Sequence, residues 1–357
     1  MTTQERIKLI TQVCQSDTSA SLLGEITTEK LNQWISAELG HIDALDNFLP
    51  HGEISSRAYA PALILHIVSG NTPHAAFQSL LRGLLVGAQN LIKTPSQGMP
   101  ELETWIESFP PELKKLTEYH SQLKEEQWHE AEVVIAIGSD DSIESIHSKL
   151  RPHQKFIPHG HKVSIGVVTS DFEKAAYLAA KDCSLYNQRG CLSPHAIYVK
   201  GNVQEFAEMM AHEIEQYSAI DPPLPLSLQE AGAIQNLRQS AQFIAANDDG
   251  TQLWLSSNNL NWTIILEQSA ELKLSCLNRC VYIKPLPEQL DTQTLGPESA
   301  YLSTIAIQPF TQSFAKELAH LPAHRICPLG SSHQPDLFWH HDGFAPLASL
   351  VSWKDIG

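Results

Sequence analysis

The chain has 357 residues, 42% hydrophobic and 18% charged. That is enough for a sizeable core and, at roughly 150 residues per domain, for two or three domains; a wholly disordered chain is excluded. Lys and Arg number 24 against 40 Asp and Glu, a net charge of −16, which argues against a nucleic-acid partner and against anionic lipid surfaces.

The first 50 residues read as polar helices, with Leu31, Trp34, Ile35 and Leu39 spaced for one helix face. Ala62–Val68 is expected as a buried strand, Gly70-Asn-Thr-Pro73 as a turn, Ala75–Gly87 as a closely packed helix and Asn90–Lys93 as a short strand. Glu101–Tyr119 reads as helix interrupted at Pro110-Pro111, followed by the strand Ala131–Ile137 and the helix Asp141–Leu150. Lys162–Val168 is the next strand and Phe172–Ser184 the next helix. Strands and helices thus alternate with short turns, the pattern of an open parallel α/β sheet. Beyond lie the strand Ala196–Val199, the helix Val203–Gln216, a rigid Pro-Pro-Leu-Pro break at 222–225 and the helix Ala231–Ala246. Leu253–Leu255, Trp262–Leu266 and Cys280–Lys284 are further strands.

The longest apolar runs, Ala60–Val68 and Leu80–Ala88, are interrupted by Pro61, His66 and Arg82 and fall short of the ~20 residues that cross a bilayer. The start has no apolar targeting region. A cytoplasmic protein with reduced thiols is expected, so its 6 cysteines are weighed for reactivity rather than pairing.

Four short segments carry side chains suited to chemistry. In Asn187-Gln-Arg-Gly-Cys191-Leu-Ser-Pro194, a cysteine after glycine in a turn is either an exposed thiolate nucleophile or a small apolar turn residue. Asn71, at the end of a strand, is suited to donating to an oxyanion, or is an Asx-turn before a helix. Lys93 leaves a strand end, where a solvated strand-end lysine is the ordinary reading. Gly138-Ser139 precedes a helix and offers backbone N–H groups to a phosphate unless Asp140 and Asp141 turn inward. No Gly-x-Gly-x-x-Gly, P-loop or Gly-x-Ser-x-Gly motif is present. His159-Gly-His161 and His340-His341-Asp342 lack metal-motif spacing, and no metal is expected.

In order and approximate spacing, Asn71, Lys93, Gly138-Ser139 and Cys191 resemble the aldehyde dehydrogenase superfamily. Phe156-Ile-Pro-His-Gly-His-Lys-Val-Ser164, Gly190–Pro194, Arg325-Ile-Cys-Pro-Leu-Gly330, Trp339-His-His-Asp342-Gly343 and Leu350-Val-Ser-Trp353 resemble, more narrowly, the LuxC-type acyl-CoA reductase family. The resemblance covers roughly residues 60–357. It implies an α/β fold with a Rossmann-like cofactor domain over 1–165, rejoined by about 325–345, and an α/β catalytic domain over 166–324, with the active site in the cleft. Residues 346–357 are read either as an oligomerisation strand for another subunit or as a segment packing on its own chain.

The resemblance further implies a cysteine-thioester mechanism. Cys191 would attack an acyl carbonyl, with Asn71 and the Cys191 N–H holding the oxyanion. Lys93 would hold a cofactor ribose and Gly138-Ser139 would lie near its diphosphate. The acyl group would come from acyl-CoA or an acyl carrier, including an acyl-transferring partner protein, and leave as an aldehyde. Hydrolytic members carry Glu in Glu-Leu-Gly-Gly-Lys. The matching stretch here is Pro158-His-Gly-His-Lys162, which has Pro158 in the Glu place, although His159 or His161 remains a candidate base. Lys93-Thr-Pro-Ser96 has no carboxylate to repel a 2′-phosphate, which favours NADPH over NADH. The usual Glu at the nicotinamide ribose is echoed only by Gln293. The chain is short beside the family, so part of the usual amino-terminal cover of the substrate channel is expected to be missing. Two alternatives stay open. One is acyl-phosphate reduction, as in the glutamyl-phosphate reductases, with Arg189 and Lys162 as the basic clamp. The other is a degenerate member that binds a partner without catalysis.

Overall fold

The structure of the protein is a computed structural model describing residues 1–70, 73–247 and 250–357. In chain order its strands are Leu49–His51 (β1), Ile54–Tyr59 (β2), Leu63–Ile67 (β3), Gln89–Lys93 (β4) and Thr117–His120 (β5). Then come Val133–Ile137 (β6), Lys155–His159 (β7), Val163–Val168 (β8), Pro194–Val199 (β9) and Gln252–Leu255 (β10). The last are Thr263–Leu266 (β11), Cys280–Pro285 (β12), Leu302–Gln308 (β13), Arg325–Pro328 (β14) and Ser352–Ile356 (β15). The chain divides into two compact units, residues 1–161 with 336–357 and residues 162–335.

The first unit is built on a parallel sheet of order β5-β4-β3-β6-β7. Successive strand residues point to opposite faces, so Ile64, Ile92, Val133 and Ile135 enter one core cluster and Leu65, Leu91, Val134 and Ala136 the other. The helix Pro73–Val86 packs on the first face. The helix Thr3–Val13 packs on that helix and Thr28–Leu39 on Thr3–Val13, extending the same core, the latter burying Leu31, Trp34, Ile35 and Leu39 as the spacing predicts. Gly83 has no room for a larger residue: a Cβ there would lie 1.8 Å from Asn90 Oδ1. A separate small sheet, β1-β2-β15, is antiparallel throughout.

Three parts of the sequence reading change here. Thr117–Tyr119 is not helix but part of the edge strand β5. Asn90 donates to Leu116 O at 2.8 Å and Thr94 to His120 O at 2.9 Å, and these ladder bonds override a local helical pattern. Strands β1, β2, β7 and β13 are additional: β1 and β2 form a local hairpin, while β7 pairs with β6 and β13 with β8 and β14. The carboxyl-terminal return begins at 336 and not at about 325. Arg325–Pro328 instead pairs in parallel with β13, because Ile326 and Cys327 alternate to bury against its two faces.

The second unit carries a sheet of order β10-β11-β12-β9-β8-β13-β14, parallel except for β10. The helices Phe172–Ser184 and Val203–Ile220 lie against one face, with Ala175, Ala179, Phe206 and Met210 buried among Ile197, Val199 and Ile283. Ala241 of the helix Leu228–Ala245 packs on the other face with Tyr198, Ile265 and Ile305. Among the described residues no helix is long and apolar enough to cross a membrane.

Candidate active site

Cys191 lies in the second unit, in the turn between the helix Phe172–Ser184 and β9, and is half-buried. The turn is rigid. Tyr186, Asn187 and Gln188 all adopt left-handed backbone, at φ 54°, 53° and 61°, which costs roughly 1–2 kcal/mol per residue. Such strain persists only where surrounding contacts over-determine it, and here they do. The Gln188 amide, fully buried, donates to Pro194 O at 2.8 Å and Cys280 O at 2.9 Å and accepts from Cys280 N at 2.9 Å. Ser164 Oγ on β8 donates to Cys191 O at 2.7 Å. Ser193 N donates to Gly190 O at 3.0 Å.

A second left-handed turn faces the first. Leu277, Asn278 and Arg279 have φ 61°, 54° and 61°, and Asn278 N donates to Asn187 O at 3.0 Å. Arg189 spans the two turns, reaching Glu230 at 2.6 Å and Asn278 Oδ1 at 3.4 Å. Behind the Cys191 turn, His333 Nε2 lies 3.2 Å from Ser193 Oγ and 3.0 Å from Asp182 O. Burial pushes His333 down to about 4, so its ring is neutral. The Asp182 carboxylate accepts from Gly330 N at 2.7 Å and Ser332 Oγ at 2.7 Å. The Arg325–Gly330 stretch and the residues after it therefore clamp the end of the Phe172–Ser184 helix.

The other cysteines separate by environment, and none of the six is in a disulfide. Burial raises the thiols of Cys14 to about 12 and Cys327 to about 11, and raises Cys183 as well. Cys280, also buried, is raised mainly by its interaction with Cys276. Only Cys191 and Cys276 are partly exposed.

In the first unit the carboxyl ends of the parallel strands gather several expected residues. Strand order reverses at β3, which has β4 on one side and β6 on the other, and ligands of open α/β sheets bind at such a switch point. Lys93 ends β4, half-buried, its Nζ donating to Thr94 O at 3.4 Å. Ser96 follows in an exposed turn. Gly138 follows β6, and its N–H donates to His159 O at 3.1 Å. Ser139 caps the helix Asp140–His147, accepting from Ser142 N at 3.4 Å. Asp140 Oδ1 accepts from His161 N at 2.7 Å. The Gly138-Ser139 turn therefore works as a joint between β6 and β7 and carries Asp140 and Asp141 in its first helical turn. Asn71 lies outside the described residues.

One cluster joins two segments that the sequence presents separately. His159 Nδ1 donates to Asp342 Oδ2 at 2.7 Å, with side chains 4% and 5% exposed. The His341 ring stacks on His159 at 3.9 Å. Asp342 is itself left-handed at φ 51°, and its Oδ1 has no hydrogen-bond partner among the described residues. Arg82 is buried beside Asp342 and Glu38, and burial pulls its guanidinium down to about 10. The two histidine-bearing segments were the available signal, but nothing local pairs positions so far apart in the chain.

The fold is that of the aldehyde dehydrogenases. Glyceraldehyde-3-phosphate dehydrogenase GapN from Methanocaldococcus jannaschii, complexed with NADP, superposes with a TM-score of 0.70 at 14% identity, over 100% of this chain and 90% of that one. A mutant of aldehyde dehydrogenase C from Pseudomonas syringae, with NAD+ and octanal, gives 0.71 at 10% identity, over 100% and 84%. Within that fold the chain belongs to the acyl-CoA reductase (LuxC) family, whose model matches residues 5–353. A long-chain acyl-protein thioester reductase of Photorhabdus laumondii is 26% identical over 339 residues, 89% of this chain and 68% of that protein. One from Vibrio harveyi is 26% identical over 334 residues, 89% and 69%.

Proposed function

We propose that the chain reduces an acyl thioester to an aldehyde through an acyl group held on Cys191. The observation that carries this reading is Cys191 itself: a half-exposed thiol on an over-determined turn, at the position where the family resemblance places the nucleophile. The thiolate attacks the acyl carbonyl, the Cys191–acyl bond forms, and the donor thiol leaves with a proton. The Cys191 N–H and Asn71 are the proposed oxyanion donors. Collapse of the reduced, sulfur-bound oxyanion then expels the Cys191 thiolate and releases the aldehyde.

A nicotinamide cofactor, when bound, supplies the hydride. Its donor set fits at the strand ends: Lys93 has one long hydrogen bond and ammonium protons left for ribose hydroxyls, and Ser96 is exposed with no carboxylate in Lys93–Ser96 to repel a 2′-phosphate. NADPH is the proposed form. Gly138-Ser139 flank the proposed diphosphate position, with the Gly138 N–H itself bound to His159 O. Pro158 occupies the place of the water-activating Glu, so the acyl-enzyme survives until it is reduced. His159, oriented by Asp342, is the proposed proton carrier of that stretch.

The proposed donor is a long-chain acyl group on a carrier protein thiol, in keeping with the names of the relatives; acyl-CoA delivers the same chemistry. Acyl phosphate is disfavoured because Arg189, the basic residue nearest Cys191 in sequence, is already bound to Glu230. Intact-protein mass after incubation with acyl-CoAs and an acyl carrier protein, without cofactor, tests the reading. A stable acyl adduct on the wild type and none on Cys191→Ala is expected. No adduct from any donor overturns the thioester route and returns weight to acyl phosphate or to a non-catalytic partner-binding role.

A further inference from the structure

The turn that faces the nucleophile segment has a cysteine at each end. Cys276 and Cys280 are separated by Leu277, Asn278 and Arg279, all left-handed, which together make one turn of left-handed helix. In a turn of α-helix Cα i and Cα i+4 lie about 6 Å apart; reversing the hand leaves that separation unchanged, and it falls within the roughly 4.4–6.8 Å that a disulfide spans. The turn is anchored from beneath. Arg279, 1% exposed, donates to Ser218 Oγ at 3.0 Å and to Asp221 O at 2.9 Å.

The Cys280 side chain and the Arg238 guanidinium together lower the Cys276 thiol from its ordinary value, and Cys280 Sγ lies 3.9 Å from Asn278 O within the turn. Cys276 is half-exposed and Cys280 is buried. An accessible, thiolate-prone cysteine beside a buried second thiol is the arrangement of an attacking and a resolving pair.

We propose that Cys276 and Cys280 form a reversible redox pair that reports on peroxide to the nucleophile turn. Cys276 attacks the peroxide O–O bond, becoming a sulfenic acid and releasing one water. The Cys280 thiol then attacks that sulfur, the S–O bond breaks, and a second water leaves as the disulfide closes. Two thiols lose two electrons and two protons in all, and a dithiol reductant reverses the reaction. The coupling runs through the backbone: Cys280 N and O both bind the Gln188 amide, and Asn278 N binds Asn187 O. Drawing Cys280 toward Cys276 strains these bonds and displaces the turn presenting Cys191. This last step rests on Cys191 being the nucleophile; formation of the disulfide does not.

The site is tested in a Cys191→Ala background, treated with hydrogen peroxide, alkylated and mapped by peptide mass. A linkage between Cys276 and Cys280, reversed by dithiothreitol and absent from Cys276→Ser and Cys280→Ser, is expected. Cys276 ending as sulfinic acid, or bridged to another cysteine, overturns the pair. The coupling is tested with Cys191 present, by its rate of iodoacetamide labelling after peroxide. A decrease of about tenfold relative to identically treated Cys276→Ser is expected, the scale of a sub-ångström displacement at a reacting group. Equal rates in the two proteins overturn the coupling. Failure of the Cys191 reading itself shows separately, as the absence of any acyl adduct in the reduced wild type.

Discussion

The backbone N–H of Asn278 donates to the carbonyl of Asn187 at 3.0 Å, and both residues are left-handed, at φ 54° and 53°. Two strained turns, 91 residues apart in sequence by number (278 − 187), hold each other in place, and one of them leads into Cys191. The turn carrying Cys191 is thus set by a contact across the fold, which makes it sensitive to substitutions on either partner.

Gln188 is the clearest of these. Gln188→Leu keeps the volume but leaves Cys280 O and Pro194 O without their amide partner, while Cys280 N keeps Leu277 O at 3.1 Å. Each buried group left unsatisfied costs about 1–3 kcal/mol. A fall in thermal midpoint of several degrees is expected, together with altered iodoacetamide reactivity of Cys191. A variant as stable and as reactive as the wild type would show that the turn does not depend on this amide.

Pro158→Glu places a carboxylate at the position that the proposed function matches to the water-activating Glu. Pro158 is half-buried on the edge strand β7, opposite Ala136. General-base activation of water is worth about a hundredfold or more. The acyl adduct on Cys191 should therefore decay that much faster in cofactor-free buffer, read as loss of adduct mass over time. An unchanged lifetime would remove Pro158 from the account of why the thioester persists.

Lys93→Ala should weaken dinucleotide binding about tenfold, the loss expected of one hydrogen bond from a charged donor. Titration of tryptophan fluorescence with NADPH and with NADH gives the two constants. NADPH binding more tightly than NADH in the wild type is the expected order. The reverse order would correct the cofactor preference while leaving Lys93 in its role.

Acid should destabilise the protein between about pH 6.5 and 4. His66, between Ser79 Oγ and Asn90 Oδ1, and His333 are both pushed down to about 4 by burial. Unfolded histidine binds its proton near pH 6.5, so in this window the unfolded chain holds more protons and stability drops as pH falls. Each histidine contributes roughly 3 kcal/mol over the window, at about 1.4 kcal/mol per pKa unit. Asp182 acts the other way: burial raises it from 3.8 to about 6, so its share is fullest at low pH and is lost as pH rises through 6. Urea midpoints at pH 7 and 4.5 should differ less in His66→Asn than in the wild type. Equal differences would show that His66 carries none of the pH dependence.

Periodicity along the sequence was sufficient for the two α/β halves. Strands such as Ala131–Ile137 are near-continuous apolar runs because a parallel sheet is buried on both faces, and Phe172–Ser184 shows its apolar face in every turn. Gly190-Cys191 in a turn before a strand stood out as the candidate nucleophile for the same local reason. Other features depend on partners remote in the chain, and only the tertiary structure decided them. Thr117–His120 is a strand because β4 offers it an edge, and Arg325–Pro328 belongs to the second sheet because β13 does. The left-handed turns at 186–188 and 277–279 contain no glycine to announce them; buried hydrogen bonds between them offset the strain. His159 meets Asp342 through a return of the chain that no local pattern encodes. Hydrophobic spacing is a short-range property and is legible residue by residue. Polar satisfaction in a core is a long-range one, settled only when distant segments are brought together and each buried donor must find its acceptor.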